Sequence, residues 1–396
     1  VEGHTIYPGL IDGYSEIEVT QEGSGGIKHW NPNVTPQLRA VDAYKLEADQ
    51  QKQWRSQGFT ARLIAPSGGI IKGVSGVVTT GDVDAARAVL AEDVAQHVRL
   101  TVPRPRRGGY PNSPMGAVAL ARQTFADAKW YGQAWNVFRS QPGVKRPEKD
   151  AALAALQPFV ASSGLVVFDA LDEQYLGRAD RVAREFGLQA VFLGSGHEYR
   201  RLDQVRAAMR PVILPLAFPD APNVASAEDA MDVTLERLMH WDHAPENPAR
   251  LVSAGVPVLL TTHGLGKTSD FLPKVRVAVK RGLDVNAALA ALTTTPATLF
   301  GLSEQLGTIE QGKAASFVIT DGPLFEDDTH VVETWVDGKR FVVREEPKRD
   351  LSGTWRLDVQ GPWHALRLKL EGPRKVTGSI RRWDGDDDDI KLKKVN

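Results

Sequence analysis

The sequence contains no cysteine among its 396 residues, which excludes disulfide bonds and zinc sites built from thiolates. It also lacks any apolar run approaching the roughly 18–20 residues that a helix needs to cross a bilayer. Its 48 basic and 49 acidic residues give a formal net charge of −1, so no overall charge favours nucleic acid or an anionic membrane. We therefore expect neither a membrane span nor a nucleic-acid partner.

The absence of cysteine is compatible with more than one cellular compartment. Cysteine-free chains occur among exported bacterial proteins and also in the cytosol. The sequence begins at Val1 rather than at a methionine, so we expect that a natural N-terminus, with any targeting signal, precedes it. A periplasmic or extracellular location therefore remains open beside a cytosolic one.

The sequence lacks the motifs of two common types of site, the serine hydrolase active site and the dinucleotide-binding loop. No serine sits on a nucleophile elbow, and no Gly-x-Gly-x-x-Gly follows the first strand. The glycine-rich stretch from Ser67 to Gly76 is neither a phosphate loop nor a dinucleotide fingerprint. We interpret it as a tight turn.

Short apolar strands alternate with helical patterns between Pro8 and Leu302, which is typical of an α/β fold. The approach to eight strand–helix units favours a TIM-like (β/α)8 barrel over an open sheet. The predicted strands are 62–65, 98–102, 165–168, 190–193, 211–215 and 256–261. Helices are predicted for 82–96, from Ser113-Pro114 onwards, and around Ala179 to Phe186, whereas His240 to His243 is interpreted as a loop.

The opening segment from Pro8 to Glu16 reads PGLIDGYSE. It resembles the Pro-Gly-Leu-Ile-Asp-x-His-x-His opening of the amidohydrolase superfamily. Further matching segments are Gly282 to Thr293, Pro296-Ala297, Gly301-Leu302 and Leu306 to Lys313. The members it most resembles are imidazolonepropionase-like hydrolases, which open cyclic amides or cleave dipeptide-like bonds with a bound metal.

The resemblance also implies a domain organisation. Residues 8–304 form the barrel, and 1–7 together with 305–345 form part of the small β-sandwich that accompanies such barrels. Asp337-Gly338 marks a hairpin turn in that part. Residues 346–396 form a β-rich C-terminal extension outside the resemblance. A partial sandwich leaves unpaired edges, so we expect upstream residues or another chain to complete it.

In these relatives, five strand-end positions bind the metal. The corresponding residues here are Tyr14, Glu16, Asp169, Gly194 and His263, and His197 follows Gly194 by three residues. All five positions depart from the pattern of histidines and aspartate that the resemblance implies. The sequence therefore predicts no catalytic residue and no metal at the inherited site.

Two interpretations of these residues remain open. In the first, they fill the former active-site mouth: Tyr14 supplies bulk and Asp169 pairs with a nearby basic group. In the second, Glu16, Asp169 and His263 form a new metal site for zinc or another divalent ion, with His197 nearby and Asp270 as a substitute base. Tyr14, Glu16, Asp169, His197 and His263 are in either case the candidate lining of a binding pocket.

We therefore predict a non-catalytic structural or regulatory module that pairs with another amidohydrolase-like chain or domain, as a homo- or hetero-oligomer. The alternative is a metal-dependent hydrolase of cyclic amide or dipeptide-like C–N bonds. A module that binds a small ligand without turning it over is a third interpretation.

Overall fold

The computed structural model describes residues 3–19, 29–84, 87–102, 109–345, 351–358, 365–371, 377–382 and 389–392. The chain divides into two compact units, Val1–Val343 and Arg344–Asn396. Val1 and Glu2, which belong to the segment predicted as part of the β-sandwich, lie outside the described residues. The predicted borders at residues 7, 304 and 345 stay a prediction.

An eight-stranded barrel sheet forms the centre of the first unit, with the strands in sequence order. Its strands are β2 (Leu10–Ile17), β3 (Phe59–Pro66), β4 (Ile71–Thr79), β5 (Val89–Arg99), β6 (Leu165–Asp169), β7 (Gln189–Leu193), β8 (Val212–Pro215) and β9 (Val258–Thr261). The predicted TIM-like barrel is therefore confirmed. Side chains join the first and last strands: Thr261 Oγ1 donates to the Tyr14 carbonyl at 2.6 Å, and the Thr262 amide donates to Asp12 Oδ1 at 2.8 Å.

One strand of the barrel runs against the others. β4 is antiparallel to both β3 and β5, whereas all the other neighbouring pairs are parallel. Two predictions are wrong here. The stretch 67–76 is not only a turn, because Ile71 onwards is a fully buried strand. In the predicted helix 82–96, residues 89–96 belong to strand β5 instead, because pairing with β4 and β6 overrides the helical propensity of their alanine- and glutamate-containing sequence. Residues 85 and 86 of that prediction lie outside the described residues.

Helices cover the outside of the barrel. They are α1 (Ala40–Ala43), α2 (Ala48–Ser56), α3 (Pro114–Ser140), α4 (Ala151–Ala155), α5 (Gln157–Val160), α6 (Glu173–Phe186), α7 (Leu202–Ala208), α8 (Ala227–Met231), α9 (Leu235–His243), α10 (Asn247–Ser253), α11 (Phe271–Lys280), α12 (Val285–Leu292) and α13 (Thr294–Leu299). Within the described residues, none of the helices is long and apolar enough to traverse a lipid bilayer.

Local signals explain where several helices begin and end. Ser113 caps α3 by accepting from the Gly116 amide, and Asp172 caps α6. Gly187, with φ of 68°, ends α6 in the left-handed conformation that glycine adopts easily. The interpretation of His240 to His243 as a loop is wrong, because Thr234 caps a helix that continues to His243. Pro245 lies beyond the end of that helix, in the 3-10 turn Ala244–Glu246 that leads into α10.

Two large clusters of apolar side chains, and a smaller third one around Ile64 and Val78, hold the barrel together. The inner one fills the barrel and includes Ile11, Leu63, Val77, Val167 and Val191. The outer one packs the sheet against the helices and contains the aromatic side chains Phe125, Phe168, Phe192 and Phe271 among others. The outward residues of each strand and the apolar stripes of the helices therefore share one continuous core.

A small antiparallel sheet lies beside the barrel in the same unit, with the order β1-β10-β11-β12. Its strands are β1 (Thr5–Pro8), β10 (Phe317–Thr320), β11 (Val331–Val336) and β12 (Lys339–Val342). Asp337 and Gly338 have φ of 48° and 78°, as the predicted hairpin turn requires. In the described residues, β1 and β12 each pair on one side only.

The second unit contains a four-stranded antiparallel sheet. Its strands are β13 (Gly353–Asp358), β14 (Ala365–Glu371), β15 (Thr377–Arg382) and β16 (Ile390–Lys391). This agrees with the β-rich C-terminal extension predicted for residues 346–396.

Candidate functional site

The candidate site lies at one rim of the barrel. Glu16 comes from the end of β2, Arg99 and Asp169 are the last residues of β5 and β6, and Lys72 is near the start of β4. Because β4 runs opposite to its neighbours, its beginning meets their carboxyl ends. This is the rim at which TIM-barrel enzymes place their chemistry.

The centre of the site is the ammonium group of Lys72, whose side chain is completely buried. Its Nζ lies 2.8 Å from Glu16 Oε1, 2.8 Å from Asp169 Oδ2 and 3.2 Å from the Tyr14 hydroxyl. An ammonium has three N–H donors, so each donor has one oxygen acceptor. The buried charge is therefore fully paired.

Arg99 is the second cation of the site. Its Nε lies 3.0 Å from Asp169 Oδ2, and its Nη2 lies 3.2 Å from Glu16 Oε1. Burial acts to raise the pKa of Asp169, but the charges of Lys72 and Arg99 outweigh it and hold the pKa below its ordinary value. Burial likewise acts to lower the pKa of Arg99, and the Asp169 and Glu16 carboxylates reverse that effect. The site thus contains two cations held against two carboxylates.

Tyr14 is the third hydrogen-bond partner of the Lys72 ammonium. Its hydroxyl donates to Glu16 Oε1 at 2.8 Å while it accepts from Lys72. Burial, and then the charges of Asp169 and Glu16, raise the pKa of Tyr14 well above its ordinary value. The phenol therefore keeps its proton. Tyr14 does more than supply the predicted bulk, because it also orders the ion pair.

Two neutral histidines flank Tyr14. The ring of His263 stands perpendicular to that of Tyr14, with centroids 5.0 Å apart, and burial lowers its pKa. His97 of β5 is fully buried, and burial, with Lys72 as a second cause, lowers its pKa to about 3. Within the described residues, neither ring nitrogen of His97 has a hydrogen-bond partner, and neither does Asp169 Oδ1.

The structure does not bring the other predicted residues into this network. A Cβ at Gly194 would lie 2.7 Å from Glu198 Oε1, and Glu198 is buried and bonded to the Ser195 amide at 2.6 Å and to Asn247 at 2.7 Å. A histidine cannot occupy position 194 without displacing that carboxylate. His197 instead stacks on His240 of α9, with centroids 4.0 Å apart.

Asp270 lies in the exposed turn before α11, where Ser269 Oγ is 3.4 Å from its carboxylate. It immediately precedes that helix.

Asp12 is a further buried carboxyl group below the site. It accepts from the Thr262 amide at 2.8 Å and lies 3.4 Å from the Thr262 hydroxyl. Burial outweighs these bonds and the charge of Arg62, and raises the pKa of Asp12 to about 7. Through these contacts Asp12 joins β2 to the residue that follows β9, and we therefore assign it a structural role in closing the barrel.

The donor set, as arranged, does not fit a divalent metal ion. Such an ion between Glu16 and Asp169 would lie beside the Lys72 ammonium and the Arg99 guanidinium, which already occupy the carboxylate oxygens. In the part of the chain that the structure describes, no group of three or more His, Asp or Glu side chains is arranged to hold a metal. The two carboxylates of the rim are thus neutralised by the chain's own cations.

Sequence reasoning missed Lys72, His97 and Arg99. Lys72 lay in the stretch interpreted as a turn, and His97 lay next to the stretch interpreted as a helix. Ile70-Ile71-Lys72 could have indicated a charge entering a buried strand, but its acidic partners come from strands that are distant in sequence.

Comparisons with known proteins agree with the barrel. Residues 244–341 match the model of the amidohydrolase family. An imidazolonepropionase of Thermoplasma acidophilum is 29% identical over 115 residues, which cover 28% of this chain and 28% of that protein. A 5-methylthioadenosine/S-adenosylhomocysteine deaminase of Saccharophagus degradans is 26% identical over 171 residues, which cover 34% of this chain and 37% of that protein. The chain thus spans about a third of the length of the curated relatives it matches.

A solved structure shares the fold over most of the chain. It is an amidohydrolase from Thermotoga maritima, with a TM-score of 0.71 and 21% identity, covering 86% of this chain and 88% of that one. The family match at 244–341 contains His263 but not Tyr14, Glu16, Lys72 or Asp169.

Proposed function

We propose, from the premise that this chain is a member of the amidohydrolase superfamily, that its barrel works without a catalytic metal. It then serves as a structural or regulatory module that pairs with another amidohydrolase-like chain or domain. The observation that carries this proposal is the Lys72 ammonium, which lies 2.8 Å from the carboxylates of both Glu16 and Asp169.

The energetics of the ion pair support a structural role. Two carboxylates that point into a barrel repel each other unless a cation lies between them. Lys72 supplies that cation permanently, from within the chain, and Arg99 adds a second one at the more exposed side. A barrel built in this way keeps its rim closed without binding an ion from solution.

The unpaired edges of the small antiparallel sheet support the proposal that the chain pairs with a partner. In the described residues, β1 and β12 each pair on one side of the small sheet, and β1 is only four residues long. Unpaired edges are places where a second chain or an upstream segment adds a strand. A module whose role is assembly rather than chemistry fits these edges.

A second candidate function is metal-dependent hydrolysis of cyclic amide or dipeptide-like C–N bonds, with Glu16, Asp169 and His263 as ligands. Asp169 Oδ1 and both nitrogens of His97 favour it, because these buried atoms have no partner in the described residues. Under this alternative, Lys72 has to leave the two carboxylates before an ion enters.

Elemental analysis separates the two candidates. The chain is purified without chelator, incubated with excess ZnCl2 or MnCl2, and freed of loose ions by gel filtration. The proposal predicts far less than one equivalent of either metal per chain. About one equivalent that disappears in the Asp169→Asn variant contradicts the proposal and supports the hydrolase.

A further inference from the structure

A groove lies on the first unit between the second half of α3 and helices α4 and α5. Its volume is about 850 Å³, which is within the range of protein pockets that hold small molecules. One wall follows α3 and contains Tyr131, Gly132, Trp135, Asn136 and Arg139. The opposite wall contains Lys149, Asp150, Ala151, Ala154 and Gln157. We call this the α3 groove.

Hydrogen bonds between the two walls fix the shape of the α3 groove. The side-chain amide of Gln157 donates to the Ala128 carbonyl of α3 at 3.0 Å and to the Leu153 carbonyl of α4 at 2.7 Å. Gly132 leaves room for this side chain, because a Cβ at that position would lie 2.3 Å from Gln157 Oε1. The groove is therefore formed before any ligand enters, which reduces the cost of binding.

Three basic side chains collect where α3 leads into α4. Arg139 and Lys149 line the groove. The guanidinium groups of Arg139 and Arg146 lie 5.8 and 5.5 Å from the centre of the Trp135 ring. An arginine that lies over an aromatic ring keeps its in-plane N–H donors for a carboxylate or phosphate.

These three cations have no acidic partner among the residues that the structure describes. Two acids are near them in the sequence. Asp150 is engaged, because its carboxylate caps α4 by accepting from the Leu153 amide at 2.9 Å. Glu148 is exposed and, in the described part of the chain, forms no ion pair. This end of the groove therefore carries positive charge that the described side chains do not neutralise.

The rest of the α3 groove is largely apolar. The Tyr131 ring packs against Trp135, with the ring centroids 6.0 Å apart. Ala151 and Ala154 contribute only methyl groups to the opposite wall, and Ala154 is exposed. An apolar group that enters here is removed from water without displacing a larger side chain. The groove thus combines an apolar cleft with a cluster of unpaired cations.

We propose that the α3 groove binds a small amphipathic anion, which has an aromatic or similarly apolar body and one carboxylate or phosphate group. The anionic group contacts Arg139, Arg146 and Lys149, whose N–H donors suit the oxygens of either group. The apolar body lies between Tyr131 and the methyl groups of α4. This inference goes beyond the proposed function and uses no residue of the barrel rim.

Three ligands that share one ring system test the inference. Indole-3-acetate carries a carboxylate and indoxyl phosphate carries a phosphate, whereas tryptophol (indole-3-ethanol) is neutral. Isothermal titration calorimetry measures the dissociation constant and the stoichiometry of each ligand with the full chain at neutral pH and low salt.

Two groove variants separate the charge of the groove from its shape. The charge variant, Arg139→Gln with Lys149→Gln, removes two cations and keeps the cleft. The filled variant, Ala154→Leu, keeps the cations and places a larger side chain in the cleft. The control, Lys52→Gln with Lys267→Gln, removes two exposed charges elsewhere. Circular dichroism verifies that each variant is folded.

We expect the wild type and the control to bind one equivalent of at least one anion, at least about tenfold more tightly than tryptophol. High salt weakens this binding. The charge variant loses the preference for the anion over tryptophol, because the apolar cleft alone remains. The filled variant binds all three ligands more weakly. Tighter binding of indoxyl phosphate identifies phosphate as the preferred group, and tighter binding of indole-3-acetate identifies carboxylate.

Three results overturn the inference. One is a wild type that binds neither anion at millimolar concentration. Another is tryptophol that binds as tightly as the anions. The third is an affinity for the anions that is unchanged in either groove variant, which would place the ligand elsewhere on the chain. None of these results changes the metal content of the chain, so this inference and the proposed function fail separately.

Discussion

The Lys72 ammonium lies 2.8 Å from Asp169 Oδ2, with the lysine side chain fully buried and the aspartate side chain 11% exposed. A charge buried this deeply persists only where its partners are fixed. Glu16, Tyr14 and Arg99 complete that fixed set. The barrel rim thus depends on an ion pair that is part of the polypeptide.

Replacing Lys72 by methionine keeps the length of the side chain and removes its charge. Because Glu16 and Asp169 then lose their central cation, we expect a loss of about 3–5 kcal/mol in the free energy of unfolding. Urea denaturation measures it. Lys52→Met, on the exposed side of α2, is the matched control and should change stability by less than about 0.5 kcal/mol. Equal stability of the two variants would show that the buried ion pair is not structural.

Replacing Tyr14 by phenylalanine removes one hydroxyl from the network. That hydroxyl accepts from Lys72 and donates to Glu16, so we expect a loss of about 1–3 kcal/mol. Tyr110→Phe removes a hydroxyl from an exposed ring and should be nearly neutral. Chemical denaturation of both variants at neutral pH makes the comparison, and a neutral Tyr14→Phe would argue against the network.

Asp12 should make stability depend on pH. Its pKa is raised to about 7 in the folded chain, while the unfolded chain has the ordinary value near 3.8. Between these values the folded state binds a proton that the unfolded state does not. Its contribution is complete below about pH 4 and decreases as pH rises to about 7, with a limiting slope of about 1.4 kcal/mol per unit.

Asp12→Asn removes this titration and keeps an acceptor for the Thr262 amide. Its unfolding free energy should vary less between pH 5 and pH 7 than that of the wild type, whereas the exposed Asp49→Asn should follow the wild type. Parallel pH profiles for the wild type and Asp12→Asn would refute the assignment.

Gly194→Ala tests why no histidine occupies that position. The new Cβ would lie 2.7 Å from Glu198 Oε1, and Glu198 is held by Ser195 and Asn247. We expect a loss of about 1–3 kcal/mol from overpacking. Gly266→Ala places its Cβ in open space and serves as the control in thermal unfolding. A stabilised Gly194→Ala would mean that Glu198 moves freely.

The sequence predicts those parts of the fold that depend on local patterns. Leu165 to Phe168 and Ala190 to Leu193 are apolar runs bounded by helix signals, and both form parallel strands of the barrel. The alternation after Thr354 likewise predicts β13. In these segments local preference and tertiary pairing agree.

Strand β4 and most of strand β5 could not be predicted in this way, although the predicted strand 98–102 contains the last two residues of β5. Their glycine-, alanine- and glutamate-containing sequences favour turns or helices, and only pairing with each other and with β3 and β6 makes them strands. Lys72 was missed for that reason. The predicted basic partner of Asp169 exists, as Lys72 and Arg99, but their identity depends on which strands become neighbours.

Whether Lys72 takes the place of a metal can be seen in a crystal structure of the wild type grown with excess zinc, with diffraction recorded on both sides of the zinc absorption edge. We expect continuous density for Lys72 between Glu16 and Asp169, without an anomalous peak at that place. An anomalous peak bound by Glu16, Asp169 and His263, with Lys72 displaced, would show that the rim is a metal site after all.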